Sequence, residues 1–225
     1  MKHQIQRLRS KFRRKKSLQR FLVSYAKSST NPFFLQIGAN DGVAGDPIHE
    51  LVITYRWKGI LVEPVPYLFD KLKKNYARAA CRLVFENVAI STEAEKRIIY
   101  YIADENNDLP NWVKGINSFN KAHILWQECN FPSIRDYVEE QAIDCISLRE
   151  LMTRNNIDKV NLLLIDVEGY DYEVLKQLDI FAELPEVVIY EHKCLGPKKR
   201  ESQQFILSKG YDIFESDGDT VAVRK

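Results

Sequence analysis

The stretch "FFLQIGANDGV", residues 33–43, decides how the rest of this chain is interpreted. Five residues suited to a buried strand run directly into a turn that contains Gly38, Asp41 and Gly42. Glycine permits positive φ and a close approach of the backbone to a ligand, and the amides of such a turn can face a polar group. A structural bend would leave the same pattern, but a glycine turn after the first strand of a parallel sheet usually carries function. The stretch therefore predicts a strand end that cradles a nucleotide.

Length and composition fit one α/β domain. The chain has 225 residues, of which 45% are hydrophobic and 28% charged, enough for a single core. No apolar run approaches the roughly 18 to 20 residues of a membrane span, and the N-terminus lacks the apolar core of a signal peptide. We therefore expect a soluble, cytoplasmic protein without integral membrane insertion. The four cysteines form no CxxC pair, so neither a zinc knuckle nor a disulfide framework is expected.

Charge is distributed unevenly along the chain. Residues 1–30 hold ten Lys or Arg and no acid, which leaves 23 basic residues against 31 acidic ones in the remainder. Apolar residues within this segment recur mostly every three or four positions, which predicts a basic amphipathic helix. We interpret 1–30 as an N-terminal arm and 31–225 as the folded domain. The arm either packs by its apolar stripe or contacts an anionic surface, such as lipid or nucleic acid.

Apolar runs and helical patterns alternate from residue 33 onward. The predicted strands are 33–37, 59–63, 83–90, 97–103, 160–167, 186–191, 211–215 and 220–224. The predicted helices lie near 45–55, 66–79, 147–156, 169–179 and 198–209. This alternation predicts a doubly wound, mostly parallel sheet that ends in an antiparallel hairpin. Residues 104–132 show no clear period and are interpreted as a loop insertion.

Polar residues follow the ends of the predicted strands, where open α/β sheets bind ligands. Glu63 stands 25 positions after Gly38, a usual place for an acid that holds a ribose diol. Asp166 and Glu168 follow a very apolar strand, and Glu191 and His192 follow the next one. Carboxylates gathered at neighbouring strand ends repel each other unless a cation, a proton or a hydroxyl substrate lies between them. This crowding indicates a reaction site.

Several blocks taken together resemble the FkbM family of S-adenosylmethionine-dependent methyltransferases, over roughly residues 33–192. The blocks are "LQIGANDG", "GILVEPVPYLFDKLKKNY", "NVAIS", "GINSF" and "LLLIDVEGYDYEVLKQLD". The resemblance implies a class I methyltransferase fold, Rossmann-like, with seven strands of which the last is antiparallel. It also implies S-adenosyl-L-methionine as the cofactor.

Site residues carried over from the resemblance fall into three groups. Next to the methionine half of the cofactor it places Gly38, Ala39, Asn40, Asp41 and Gly42. It assigns the ribose hydroxyls to Glu63, and it places Asn87, Val88 and Ala89 near the adenine or its sugar, with Ser118 in a loop over the site. The sequence departs from the family at Gln36, where an acid is frequent, so a charged contact to the methionine ammonium must come from Asp41 or Asp166.

The chemistry that the resemblance implies is methyl transfer to a hydroxyl of a sugar, glycan or small natural product. One mechanism uses Glu168 or His192 as general base, with Asp166 serving both cofactor and acceptor. In the other, Asp166 and Glu191 hold Mg²⁺, which lowers the pKa of a diol. Three alternatives stay open: a nucleic-acid methyltransferase, an NAD-dependent oxidoreductase and a noncatalytic binding module.

Overall fold

A computed structural model describes residues 17–103 and 109–225 of the chain. The strands in chain order are Phe33–Ile37 (β1), Lys58–Val62 (β2), Leu83–Glu86 (β3), Ala89–Ile90 (β4), Glu95–Ile102 (β5), Asn117–Ser118 (β6), Val138–Ile146 (β7), Leu162–Ile165 (β8), Val187–Glu191 (β9), Tyr211–Ser216 (β10) and Asp219–Arg224 (β11). The described helices are Leu18–Ser28 (α1), His49–Tyr55 (α2), Pro66–Asn75 (α3), Asn111–Lys114 (α4), Lys121–Leu125 (α5), Leu148–Arg154 (α6), Asp171–Leu175 (α7) and Lys198–Ser208 (α8).

Seven strands form the main sheet in the order β3-β2-β1-β8-β9-β11-β10. All pairs from β3 to β9 are parallel, and β11 runs antiparallel to both of its neighbours. This arrangement confirms the predicted fold class. The carboxyl ends of β1, β2, β8 and β9 therefore meet at one edge of the sheet, where the glycine turn and the predicted acids lie.

Apolar side chains cover both faces of the main sheet, as the continuous apolar runs predict. In β1, Leu35 and Ile37 belong to the core on one face, while Phe34 belongs to the core on the other. All four residues of β8 are buried. Because successive side chains of a strand point to opposite faces, such a run is stable only between two helical layers.

Helix α1 is part of one of these layers. Ser17 caps it by accepting a hydrogen bond from the amide of Arg20, and the amide of Leu18 donates to Ser216 Oγ at 2.8 Å. Phe21, Leu22 and Tyr25 are buried in the same core as Phe34. The second half of the predicted arm thus packs by its apolar stripe, whereas residues 1–16 lie outside the described residues.

A second sheet of four strands, in the order β4-β7-β5-β6, lies beside the main one. The strand predicted over 83–90 is divided here between the two sheets, because the side chain of Asn87 donates to the carbonyl oxygens of Glu63 and Pro64 at 2.9 and 3.0 Å. The sequence pattern does not predict strand β7, since three of its first four residues are polar or charged and its exposed part shows no apolar alternation. None of the described helices is long and apolar enough to cross a membrane.

Candidate functional site

The turn after β1 brings the backbone very close to the end of β8. Gly38 has φ +82°, and a Cβ atom there would lie 1.7 Å from the carbonyl oxygen of Asp166. Gly42 has φ +75°, and a Cβ atom would lie 2.5 Å from Leu72 Cδ1 and 2.7 Å from the ring of Tyr76. Only glycine fits both positions without displacing its neighbours. The sequence motif is therefore enforced by packing as well as by any ligand.

The side chains of Asn40 and Asp41 form hydrogen bonds that stabilise the turn itself. Asn40 Nδ2 donates to the carbonyl oxygen of Gly115 at 2.8 Å, which ties the turn to the insertion. Asp41 Oδ1 accepts from the amides of Val43 and Ala44, both at 2.8 Å. Asp41 therefore shapes the loop in the structure, whereas a contact of its carboxylate with the cofactor stays a prediction.

Glu63 is fully buried at the end of β2. Its Oε2 accepts from the amide of Asn40 and its Oε1 from the amide of Val65, both at 2.9 Å. Burial raises the pKa of Glu63 to about 7, although the two amide hydrogen bonds oppose that rise. The side chain is thus held in one orientation beside the glycine turn, with lone pairs left for two further donors.

A cavity of about 540 Å³ opens between the glycine turn, the ends of β8 and β9, and the insertion. Its lining includes Gln36, Gly38, Glu63, Trp112, Asp166 and Glu168. A volume of this size is typical of cofactor and substrate sites. The structure thus brings the glycine turn, the strand-two acid and two of the three predicted catalytic residues to one cavity.

A smaller apolar cleft of about 30 Å³ adjoins Gly38 on the other side of Pro64. Val88, Ala89 and Ser118 line it, together with Phe119 and other apolar side chains. The predicted adenine-side residues are therefore neighbours. The cleft as it stands has room for about one water molecule.

Asp166 directly follows β8, is exposed, and lines the cavity. The surrounding protein raises the pKa of Asp166 well above its ordinary value, and the charges of Glu168 and Glu191 add to the rise. The neighbouring Asp171 has a different role, because it is fully buried and accepts hydrogen bonds from the amides of Gly169 and Glu191.

Glu168 is held by partners that the sequence did not predict. His123 Nε2 lies 2.8 Å from Glu168 Oε2, and the thiol of Cys194 donates to the same oxygen at 3.5 Å. The hydrogen bond to Glu168 raises the pKa of His123. The backbone of Glu168 has φ +50°, a region that few residues other than glycine adopt and that is frequent at functional sites. No pattern around His123 marks it, because its position depends on how the insertion folds.

His192 is not brought to this cavity. Its Nδ1 lies 2.9 Å from Thr220 Oγ1, and its Nε2 lies 3.6 Å from Glu215 Oε2. Burial lowers the pKa of His192. Its ring is therefore engaged with the C-terminal hairpin, and its predicted part in catalysis stays a prediction that this geometry does not support.

The donor set here does not suit Mg²⁺. Three possible ligand atoms lie within 4.8 Å of one another, one each from His123, Glu168 and Cys194. Mg²⁺ prefers oxygen ligands to imidazole nitrogen and thiolate sulfur. Glu191, the second ligand of the predicted magnesium site, has its pKa raised to about 7 by burial and then by the charge of Glu168. This rise is the effect expected where carboxylates crowd together.

Gln36 lines the same cavity and has an unpaired side-chain carbonyl oxygen. Its side chain is only 5% exposed, and its Oε1 has no hydrogen-bond partner among the described residues. A buried carbonyl oxygen without a partner costs free energy. Gln36 is therefore a buried acceptor at the cavity lining that no described residue satisfies.

Comparison with known proteins connects this geometry to one family. The family model described as the methyltransferase FkbM domain matches residues 36–213. A search among curated proteins finds no match.

Three solved structures share the fold. A methyltransferase FkbM from Methylobacillus flagellatus is 12% identical, with a TM-score of 0.53, and the alignment covers 98% of this chain and 58% of that one. Cofactor-bound Rv0187 from MTB is 12% identical with a TM-score of 0.51, covering 94% and 82%. A Corynebacterium glutamicum protein is 10% identical with a TM-score of 0.50, covering 99% and 89%.

Proposed function

The chain belongs to the FkbM family of S-adenosylmethionine-dependent methyltransferases, and on that premise we propose that it methylates a hydroxyl oxygen of a sugar, glycan or other small natural product. The observation that carries this proposal is the meeting of Glu168 and Asp166 with Glu63 and the glycine turn in one cavity. In this proposal, Glu63 and the glycine turn serve the cofactor, and Glu168 and Asp166 serve the acceptor.

The residues fit the cofactor. Glu63 presents a carboxylate, fixed by two amides, that can accept both ribose hydroxyls. Gly38 has no side chain, so the space beside the Asp166 carbonyl that a Cβ atom would occupy stays open. Val88 and Ala89 offer an apolar surface for the adenine ring, provided that the loop bearing Phe119 moves to widen their cleft. When bound, S-adenosylmethionine supplies a methyl group on a positively charged sulfur.

Glu168 is the proposed general base. Glu168 would receive the hydroxyl proton of the acceptor as the acceptor oxygen takes up the methyl group that bound S-adenosylmethionine would supply. His123 holds Oε2 of that carboxylate at 2.8 Å and so fixes its orientation. Asp166 lines the cavity beside it and contributes to orienting the acceptor.

The proposal is tested by following a labelled methyl group. The enzyme is incubated with methyl-labelled S-adenosylmethionine and a panel of neutral, acidic and basic glycosides, and the products are analysed for methyl ethers by mass spectrometry. We expect label in a methyl ether, and much less of it with Glu63→Ala. Label on a nitrogen atom, or on nucleic acid in a parallel incubation, would contradict transfer to a small-molecule hydroxyl.

A further inference from the structure

The walls of the cavity carry charge of one sign. Among residues 17–103 and 109–225, its lining contains no Lys, Arg or His. It contains five acids, which are Asp46, Glu63, Asp166, Glu168 and Asp219. A concave wall of one sign focuses the electric field and concentrates ligands of the opposite charge.

Three of these acids already have partners. Asp46 accepts from the amides of Ile48 and His49 and from the hydroxyl of Tyr76 at 2.9 Å. Glu63 is bonded to two amides, and Glu168 is paired with His123. These contacts explain why the three carboxylates are stable where they are.

Asp166 and Asp219 are different. Within the described part of the chain, neither carboxylate forms a hydrogen bond or an ion pair with another side chain. Desolvation raises the pKa of Asp219 to about 6. Two such carboxylates at one cavity favour the arrival of a cation. The proposed cofactor brings one ammonium group, which accounts for one of them.

Two further side chains favour a cation with hydrogen atoms to donate. Gln36 lines the cavity, is only 5% exposed, and has a carbonyl oxygen without a partner among the described residues, so a hydrogen-bond donor beside it is favoured over an anion. Trp112 lines the same cavity and is 56% exposed. An accessible indole face attracts ammonium groups and also packs against the C–H face of a sugar ring.

We propose that the methyl acceptor is a hydroxylated amine, such as an aminosugar or aminocyclitol, whose ammonium group is received at Asp219. This inference rests on the proposed function and narrows its substrate class. It excludes sugar phosphates, nucleotide sugars, uronic acids and nucleic acid as acceptors, since each would bring negative charge to an acidic wall.

Binding of charge-matched probes to the protein saturated with S-adenosylhomocysteine tests the inference. The probes are methyl glucosaminide, methyl N-acetylglucosaminide and methyl glucuronide, which share a ring and differ in charge. We expect the ammonium sugar to bind at least tenfold more tightly than the neutral one by calorimetry or saturation-transfer NMR, and no detectable binding of the glucuronide. In Asp219→Asn this preference should fall to about twofold or less, with the affinity for S-adenosylhomocysteine unchanged.

The matched control is Asp217→Asn, in the same hairpin. Asp217 is exposed and outside the cavity lining, and its backbone has φ +53°, which Asn tolerates. The control should retain the full preference. Equal binding of the three probes, no binding of the ammonium sugar, or a preference that survives Asp219→Asn would overturn the inference. Failure to bind S-adenosylhomocysteine would instead overturn the proposed function.

Discussion

At the scale of single residues, two carboxylates in one cavity have different environments and therefore different roles. Glu63 is fully buried and bonded to backbone amides, which suits a permanent acceptor for hydroxyl groups. Glu168 is bonded through one oxygen to a basic side chain, which suits a group that receives a proton. Environment rather than residue type separates the two assignments.

Removal of the Glu63 carboxylate should weaken cofactor binding. Glu63→Ala leaves the ribose hydroxyls without their charged acceptor, so we expect the binding free energy of S-adenosylhomocysteine to fall by about 1.5 to 3 kcal/mol. Calorimetry on the folded variant measures this loss. Unchanged affinity would remove Glu63 from the cofactor site.

The raised pKa of Glu63, about 7, also predicts a pH dependence. Hydroxyl donors favour the ionised carboxylate, so the affinity for S-adenosylhomocysteine should increase from pH 6 to pH 8, with proton release on binding at pH 6. The stability of the free protein depends on pH in the opposite direction. The folded state holds the Glu63 proton more tightly than the unfolded chain does, so the contribution of Glu63 to the free energy of unfolding declines as pH rises from about 4.5 through 7. Glu63→Gln should abolish the pH dependence of affinity at this site.

The general base is tested by a matched pair of isosteres. Glu168→Gln should reduce the methyl-transfer rate by about 10² to 10⁴ with little change in cofactor affinity. His192→Asn should have a much smaller effect, because the His192 ring is engaged with Thr220 outside the cavity lining. Equal losses in both variants would restore His192 to the mechanism.

His123→Gln tests whether His123 acts through Glu168. It should lower the rate less than Glu168→Gln does, because the carboxylate loses the side chain that orients its Oε2, and it should add no further loss in the Glu168→Gln background. A loss of rate that adds fully to that of Glu168→Gln would mean that His123 serves only the fold.

At the scale of elements, helix α1 connects the beginning of the chain to the main sheet. Tyr25 and Trp57 meet edge-on with ring centroids 6.1 Å apart, and Phe21 contacts Phe214 of β10 in the same manner. These contacts bury Phe21 and Tyr25 in the core on that face of the main sheet. Stability therefore depends on residues within the segment 1–30, although that segment is also the most basic part of the chain.

Leu22→Ala should destabilise the protein by about 2 to 5 kcal/mol, because it leaves a cavity in a fully buried site. The exposed Gln19→Ala in the same helix is the control and should change stability little. Thermal unfolding with and without S-adenosylhomocysteine measures both. Similar small shifts for the two variants would show that α1 is dispensable.

At the scale of the whole molecule, the imidazole and thiol groups beside Glu168 argue against a required magnesium ion. We expect dialysis against EDTA to leave methyl transfer unchanged, with no stimulation by added Mg²⁺. Loss of activity in EDTA and its recovery with Mg²⁺ would instead support the Asp166 and Glu191 site. Loss that a softer metal restores would point to His123, Glu168 and Cys194.

Truncation before Ser17 tests the basic segment without disturbing α1. It removes eight Lys or Arg residues, so attraction to anionic vesicles should decrease strongly while cofactor binding persists. A salt titration of vesicle binding by the full chain is the comparison. Undiminished vesicle binding by the truncated protein would place the contact on the body.

The sequence by itself determined the fold class, a mostly parallel sheet with an antiparallel hairpin, and the strand ends at which Gly38, Glu63, Asp166 and Glu168 lie, because each depends on a local pattern of strand, turn and strand end. It also indicated the family, through blocks whose spacing follows that pattern. Only the tertiary structure decided that His123 pairs with Glu168, that the His192 ring is engaged with Thr220, and that α1 packs in the core. The physical reason is that side-chain partners from distant segments are chosen by packing, and local sequence patterns contain no information about which distant surface will cover them.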